Sequence, residues 1–219
     1  MSRRAAEVAI SAGRVTVNGQ VAQLGQKAET GDAITVDGVP LLGVGQFVYV
    51  MLNKPRGVVT TMSDERGRKT VAEMVTGAGA ARLLPVGRLD MDSEGLLLMT
   101  NDNELIHILT HPSNEVEKEY HVWTHGGDLE KLKLDNPSAK ISDLSDKLSV
   151  VIHEGKKRQV RLMCADAGMK VLRLRRVREG AIVLGDLKVG AWRNLTAKEI
   201  NYLRPRSVSK TERGEILNV

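Results

Sequence analysis

The sequence predicts an α+β protein: a mixed, mainly antiparallel sheet with flanking helices, preceded by a small N-terminal module. Three observations point there. Helix-period and strand-period segments interleave without the regular βαβ alternation of a doubly wound sheet. Paired turn signals, Asn18-Gly19 and Asp37-Gly38, cut the start of the chain into short strands. Hydrophobic residues make up 42% of 219 residues, enough for one large core and one small one.

The elements follow in order. Residues 1–44 read as one unit. Ser2 is placed to cap a short helix from Arg3 to Ser11, with Ala5, Ala6, Val8 and Ile10 available for burial and Gly13 to end it. Val15 and Val17 alternate with polar residues, and Ile34-Thr35-Val36 is a further strand. Leu41 to Gln46 is a glycine-rich linker. A second domain, residues 45–205, opens with the buried-strand pattern Val48 to Leu52, turns at Asn53 to Gly57, and resumes as a strand at Val58 to Thr61. A charged loop, Ser63 to Lys69, leads to a short helix, Val71 to Val75.

Leu96 to Met99 is a strand. Asn101 is placed to cap the next helix, with Glu104 as its capping-box partner and Leu105, Ile106, Ile108 and Leu109 as its apolar face. Pro112 stops that helix near Thr110. Strands at Glu119 to Trp123 and Leu148 to Ile152 flank a polar stretch, 126–146. Val160, Met163, Cys164 and Ala167 then recur at helical spacing, and Gly168 closes the helix. Strands 171–175 and 181–184 and a helix from Ala197 to Leu203 follow, and residues 206–219 form a polar tail.

Thirty-two Lys and Arg against 27 Asp and Glu give a net charge of +5 and a pI near 9.4, a balance that favours a polyanionic partner. A single cysteine, Cys164, excludes an internal disulfide and a cysteine-rich zinc site and fits a cytoplasmic location. No apolar run reaches the ~18 residues of a membrane span, and MSRRAAEVAI lacks the apolar stretch of a secretory leader. Only six aromatic residues occur, too few for a protein that binds by stacking many bases.

The stretch Gly87 to Leu96, GRLDMDSEGL, puts Asp90 on a loop beside Arg88, just ahead of the Leu96–Met99 strand. A carboxylate beside a guanidinium stays ionised and can attack an electron-poor carbon. Most loop acids are merely solvated, so the neighbours decide. Asp90, Asp92 and Glu94 alternate in the manner of cation ligands, but without the glycine and length of a calcium loop. His107 and His111 share a helix face with no acid in the zinc-protease position. No metal site is expected. The G-x-S-x-G, phosphate-loop and dinucleotide patterns are absent, which leaves a cofactor-free carboxylate mechanism as the simplest enzymatic option.

The basic residues cluster. Lys156, Lys157 and Arg158 lead into the Val160 helix, and Arg158 and Arg161, three apart, share a flank. In the run from Val171 to Arg178, Leu172 and Leu174 point inward and Arg173 and Arg175 outward. With Arg176 and Arg178 they offer a phosphate-contact surface. Arg3, Arg4 and Arg14 sit at the start of the first helix and at its turn into the first strand.

Two resemblances gather these residues. SRRAAEVAISAGRVTVNGQ followed by GDAITVDG resembles an S4 RNA-binding domain that is short at its N-terminal side. GRLDMDSEGLLLMTND, VEKEYHV, HEGKKRQVRLM and VLRLRRVREG resemble the RsuA-type ribosomal RNA pseudouridine synthases. MLNKPRGVVTTMSD and LGDLKVGAWRNLT match further segments of that family in the same order, over nearly all of residues 1 to 204. The stretch between Trp123 and Val150 is shorter than usual and lacks the family's acidic-glycine hairpin, which bears on target choice.

The resemblance implies roles. Asp90 matches the catalytic aspartate, Tyr120 the tyrosine that stacks on the target uracil, and Arg161 the basic residue paired with the aspartate. Arg3, Arg4, Arg14, Arg88, Lys156, Lys157, Arg158, Arg173, Arg175, Arg176 and Arg178 are the RNA-binding candidates. The expected partner is ribosomal RNA or an assembling ribosomal subunit, with no cofactor, no membrane, and a monomer as the default. Two other readings stay open at this point: a non-catalytic RNA-binding or assembly protein on the same fold, and a metal-dependent nuclease using Asp90, Asp92 and Glu94.

Overall fold

The computed structural model describes residues 3–29, 31–41, 46–79 and 82–203. The Ser2 cap, most of the Leu41–Gln46 linker and the tail 206–219 lie outside them. Backbone contacts divide the chain into two units, Met1–Gln46 and Phe47–Val219.

The first unit is one helix and a four-stranded sheet. Helix α1 (Arg3–Ser11) ends where Gly13 takes a φ of +70° and its N–H reaches the Ile10 carbonyl at 2.9 Å. Strands β1 (Val15–Val17), β2 (Gln20–Val21), β3 (Ile34–Val36) and β4 (Val39–Pro40) pair in the order β2-β1-β3-β4. The two hairpin turns are the predicted pairs: Asn18-Gly19 and Asp37-Gly38 all take positive φ. The small core is Ala9, Val15 and Ala22, with Ile10 packed against it. Ala5 and Val8, expected inside, are exposed, because the helix turns its Ala9–Ile10 side to the sheet.

The second unit is a nine-stranded sheet with helices on both faces. Its elements are β5 (Tyr49–Lys54), α2 (Val71–Met74), β6 (Leu84–Pro85), β7 (Glu94–Thr100), α3 (Asn103–Thr110), β8 (Lys118–His125), α4 (Leu129–Asp135), β9 (Lys140–Asp143), β10 (Leu148–Ile152), α5 (Gln159–Asp166), β11 (Lys170–Glu179), β12 (Ile182–Val183), β13 (Trp192–Asn194) and α6 (Ala197–Leu203). The sheet order is β13-β5-β7-β11-β8-β10-β9, with β12 on β11 and β6 on β7. Every pairing is antiparallel except β7 with β11, so the expected mixed, mainly antiparallel α+β architecture is what forms.

Alternate residues of β5 and β7 feed two cores. Val50, Leu52, Leu97 and Met99 join Val71 of α2, Leu132 of α4 and Val160, Met163 and Cys164 of α5. Tyr49, Met51, Leu96 and Leu98 join Leu105 and Leu109 of α3 and Leu203 of α6. Both faces of these two strands are therefore apolar, which is why they read as continuous hydrophobic runs. On β8 and β11 only one face is so covered: Tyr120, Val122 and Leu174 belong to the main core, while Glu119, His121, Trp123, Arg173 and Arg175 on the other face are only half-buried.

Three local expectations give way. Val58 to Thr61 is not a strand, making only an isolated bridge from Val59 to Thr70, because the segment turns to meet the Asp90 loop. Asn101 does not cap α3. Its Oδ1 accepts from the Val48 N–H at 2.8 Å, and Asp102 is the cap, accepting from the Leu105 N–H at 3.1 Å. Leu172 points outward and is 52% exposed, because the pairing of β11 with β8 skips a residue between Val171 and Arg173.

Candidate active site

Asp90 sits on the loop between β6 and β7, and the loop is fastened from beneath. Thr60 Oγ1 donates to the Leu89 carbonyl at 2.7 Å, and the Gly57 N–H donates to the Met91 carbonyl at 2.7 Å. The Ser93 N–H closes a turn onto the Asp90 carbonyl at 3.0 Å. Leu89 is buried in the main core, so the side chain next to Asp90 anchors the loop while Asp90 itself stays one-third exposed.

Lys54, at the end of β5, is wholly buried below this loop. Its Nζ donates to the Ser93 carbonyl at 2.8 Å and the Pro55 carbonyl at 3.0 Å. Burial pushes its pKa down to about 8, against the pull of Asp90, Asp92 and Glu94, which favour the charged form. In the sequence Lys54 reads only as part of the Asn53 to Gly57 turn. Its one signal is position: a lysine closing an otherwise apolar, fully buried strand has to find acceptors at the strand's mouth.

Opposite the loop, α5 begins at Gln159, and its cap residue Arg158 holds a left-handed φ of 56°. Arg158 and Arg161 do share a flank, as their spacing predicted, and both reach the Asp90–Ser93 loop. The acid they grip, however, is Asp92. Arg158 forks onto it at 3.2 and 3.0 Å, and Arg161 Nε lies 3.4 Å from Asp92 Oδ2. The expected Arg161–Asp90 pair does not form in this structure, because the Ser93–Asp90 turn swings Asp92 toward α5. Asp90 meets Arg158 at 3.9 Å. Burial works against the charge on Asp92, but the Arg158 hydrogen bonds and the Arg161 charge hold its carboxyl below the usual range. Burial lowers the Arg161 pKa, against the pull of Asp92. Arg88 is exposed and makes no ion pair with Asp90 among the described residues.

Tyr120, central in β8, belongs to the main core at 7% exposure. Burial raises its pKa, opposed by Arg176, and Asp90 is close enough to contribute. Arg176 is its cross-strand partner.

The other basic candidates divide. Arg176 is not a surface cation. It is 1% exposed, donates from Nε to the Leu96 carbonyl at 2.7 Å and pairs at 3.3 Å with Glu179, itself fully buried. The chain puts it inside because β11 runs through the middle of the sheet, where alternate residues must face the core. Arg173 donates to Glu94 at 2.6 Å and lies 4.6 Å over the Trp123 ring. Arg178 bonds Glu119 and Glu117 at 2.9 and 3.0 Å. Arg175 has no ion-pair partner among the described residues, and its Nε is buried without a hydrogen bond. Lys156 pairs with Glu154 at 2.7 Å, and Lys157 is exposed. In the first unit Arg4 is exposed, Arg14 Nε donates to Asp37 at 2.7 Å, and the Arg3 side chain lies outside the description.

Asp90, Asp92 and Glu94 are not gathered on one point. Asp92 answers Arg158 and Arg161, while Glu94 answers Arg173. Among the described residues no three His, Cys, Asp or Glu side chains converge as metal ligands. No described helix is long and apolar enough to cross a membrane.

The chain is similar to known proteins in sequence and in fold. Residues 48–166 match the family model for RNA pseudouridylate synthases, and residues 2–34 match that of the S4 domain. An RNA pseudouridine synthase of Mycobacterium leprae, described as uncharacterised, is 42% identical over 92% of this chain and 87% of its own. A protein of Vibrio cholerae named ribosomal large subunit pseudouridine synthase B is 37% identical over all of this chain and 75% of its own. A crystal structure of a pseudouridylate synthase superposes with a TM-score of 0.66 at 31% identity, covering 93% of this chain and 94% of that one.

Proposed function

Because the chain belongs to the RNA pseudouridylate synthase family, we propose that it isomerises a uridine of ribosomal RNA with Asp90 as the reacting carboxylate. The observation that carries this is Asp90 itself: a partly exposed acid on a loop pinned by Thr60 and Gly57, 3.9 Å from Arg158 and electrostatically coupled to Lys54, Tyr120 and Arg161. A cation-rich surround orients a carboxylate without tying up its oxygens.

In the reaction the N1–C1′ bond breaks, the uracil turns, and a C5–C1′ bond forms. The proton lost from C5 is balanced by the one gained at N1, so there is no net redox change and no hydrolysis. Asp90 attacks C1′ or assists departure of the base, as carboxylates do at other glycosidic centres. The target must leave its stack to be reached. Tyr120, already held in the core, offers a wall that needs no ordering when the uracil arrives. Arg161 and Lys54 supply the fixed positive field. The S4 unit and the exposed cations, Arg4, Arg88, Lys157 and Arg158 among them, hold the backbone.

The names of relatives such as the Vibrio cholerae protein support ribosomal RNA, and large-subunit RNA first, as the substrate. The test is Asp90→Asn. It is expected to abolish tritium release from C5-labelled uridine RNA while RNA affinity stays within about twofold. Position-resolved mapping of ribosomal pseudouridines with and without the protein identifies the site. Retained release by the variant takes Asp90 out of the chemistry.

A further inference from the structure

Asp90 belongs to no strand, so the direction of its side chain is set by the two peptide planes that meet at its Cα. The plane that leaves it is held by backbone: the Ser93 N–H donates to the Asp90 carbonyl at 3.0 Å. The plane that enters it carries the Leu89 carbonyl, and that oxygen is held by a side chain, Thr60 Oγ1, at 2.7 Å. The same hydroxyl accepts from the Leu89 N–H at 3.3 Å. A threonine hydroxyl has one proton and two lone pairs, so it can serve both groups at once. The next carbonyl, that of Met91, is again held by backbone, the Gly57 N–H at 2.7 Å. Of these three ties, the one at the entry to Asp90 is the one a side-chain substitution removes. Thr60 is itself fixed from behind. The Val59 N–H donates to the Lys69 carbonyl at 3.0 Å, and the Val59 carbonyl accepts from the Val71 N–H at 3.1 Å. Val58, Val71 and Leu89 are all buried in the main core.

We propose that Thr60 is a positioning residue for the isomerisation: its hydroxyl fixes the peptide plane ahead of Asp90 and so aims the carboxylate at the sugar carbon. Thr60 acts through the Leu89 backbone and not on the RNA. A reacting oxygen has to stand ~3–3.5 Å from its carbon and in line with it, and a displacement of about 1 Å costs on the order of a hundredfold in rate. A β-branched residue suits the task, because its stiff χ1 keeps the hydroxyl aimed before substrate arrives. Without the hydroxyl the Leu89 peptide is free to tilt, and Asp90 tilts with it. This rests on the reading of Asp90 as the reacting group.

The test uses the full chain, with single-turnover rates at saturating RNA and binding measurements on the mapped substrate. Thr60→Val keeps the branched shape and loses the hydroxyl. It is expected to slow the reaction at least about tenfold while the RNA Kd stays within about twofold. Thr60→Ser, which restores the hydroxyl, is expected to react within about threefold of wild type. Thr61→Val is the control for losing a hydroxyl from this segment, since Thr61 Oγ1 donates away from the site, to the Ser63 carbonyl at 2.8 Å. It is expected to react within about twofold of wild type. Thr60→Ala reads the same loss should the valine variant fail to fold, and if neither folds, the hydroxyl serves the fold at large and the proposal falls. A wild-type rate in Thr60→Val, a folded Thr60→Ser as slow as Thr60→Val, a Thr61→Val as slow as Thr60→Val, or a loss of RNA binding that accounts for the slower rate also overturns it. Asp90→Asn run alongside separates the two readings: if it is active, the role of Asp90 fails first, and if it is inactive while Thr60→Val is at full rate, the positioning role fails alone.

Discussion

Gly95 and Arg176 lie side by side across the parallel β7–β11 pair, so close that a Cβ on Gly95 would meet the Arg176 carbonyl oxygen at 2.2 Å and its nitrogen at 2.8 Å. The atoms it would strike are backbone, in the middle of the sheet, and cannot swing aside. Gly95 also holds a φ of +106°, which side-chain-bearing residues rarely adopt. This contact seats the strand that carries the Asp90 loop against the strand that faces Tyr120. Gly95→Ala is expected to cost at least ~3 kcal/mol, read as a fall in the urea midpoint or a loss of folded protein. A change under ~0.5 kcal/mol would mean the two strands can part freely.

Arg176 and Glu179 form a buried ion pair whose hydrogen-bonding capacity is left partly unused: Arg176 Nη2 and both Glu179 carboxylate oxygens have no hydrogen-bond partner. Removing one partner strands the other charge in the core. Glu179→Leu is expected to destabilise by roughly 3–5 kcal/mol, whereas Arg176→Met with Glu179→Leu together is expected to come back to within about 2 kcal/mol of wild type. Urea denaturation of the two variants checks this. Equal losses in both would show that the arginine is needed for packing rather than for charge balance.

How much of this was legible follows from what local patterns encode. The α+β class, the Asn18 and Asp37 turns, the buried strands and the shared flank of Arg158 and Arg161 all follow from spacing, and spacing survives folding. What did not follow were partner choices set by tertiary register. Nothing local distinguishes Asn101 from Asp102 as a cap until Val48 claims Asn101. An arginine-rich run reads as surface until the sheet order puts β11 between β7 and β8 and drives Arg176 inward. The bulge at Leu172 is likewise invisible to a strict alternation of two. At the site, Asp90 was visible through its motif, but Lys54 and Asp92 owe their places to the Ser93 turn, which only the folded chain makes.

Lys54 makes stability depend on pH in a direction set by its lowered pKa. Between about 8, its folded value, and its ordinary 10.5, the unfolded chain binds the proton more tightly than the folded one. Stability therefore rises with pH across that window through this group, by up to about 3 kcal/mol, and is indifferent to it below pH 8. Activity moves the other way, because deprotonation removes a positive charge from beneath Asp90. Lys54→Met is expected to remove this rise from the denaturation profile. It is also expected to lose the alkaline limb of kcat near pH 8, at a lower plateau. Parallel pH profiles for wild type and variant would count against this assignment.

Arg175 is the test of whether the arginine-rich strand touches RNA at all. Tyr120 and Arg176 are cross-strand partners facing the core, and His121 and Arg175 are the next pair along, so Arg175 lies on the opposite face of the sheet. Its neighbours Arg173 and Arg178 are answered by Glu94, Glu119 and Glu117, while Arg175 has no ion-pair partner among the described residues. An uncompensated cation on an open sheet face is the one able to release a counterion on binding. We predict that Arg175→Ala weakens substrate RNA binding and lowers the slope of log K against log salt by roughly 0.7–0.9. Arg178→Ala should change the slope by less than half as much, because its charge is already neutralised within the fold. Salt titrations of the three proteins decide it: an unchanged slope for Arg175→Ala removes this face from the RNA contact and leaves the grip to the S4 unit and the cations around Asp90.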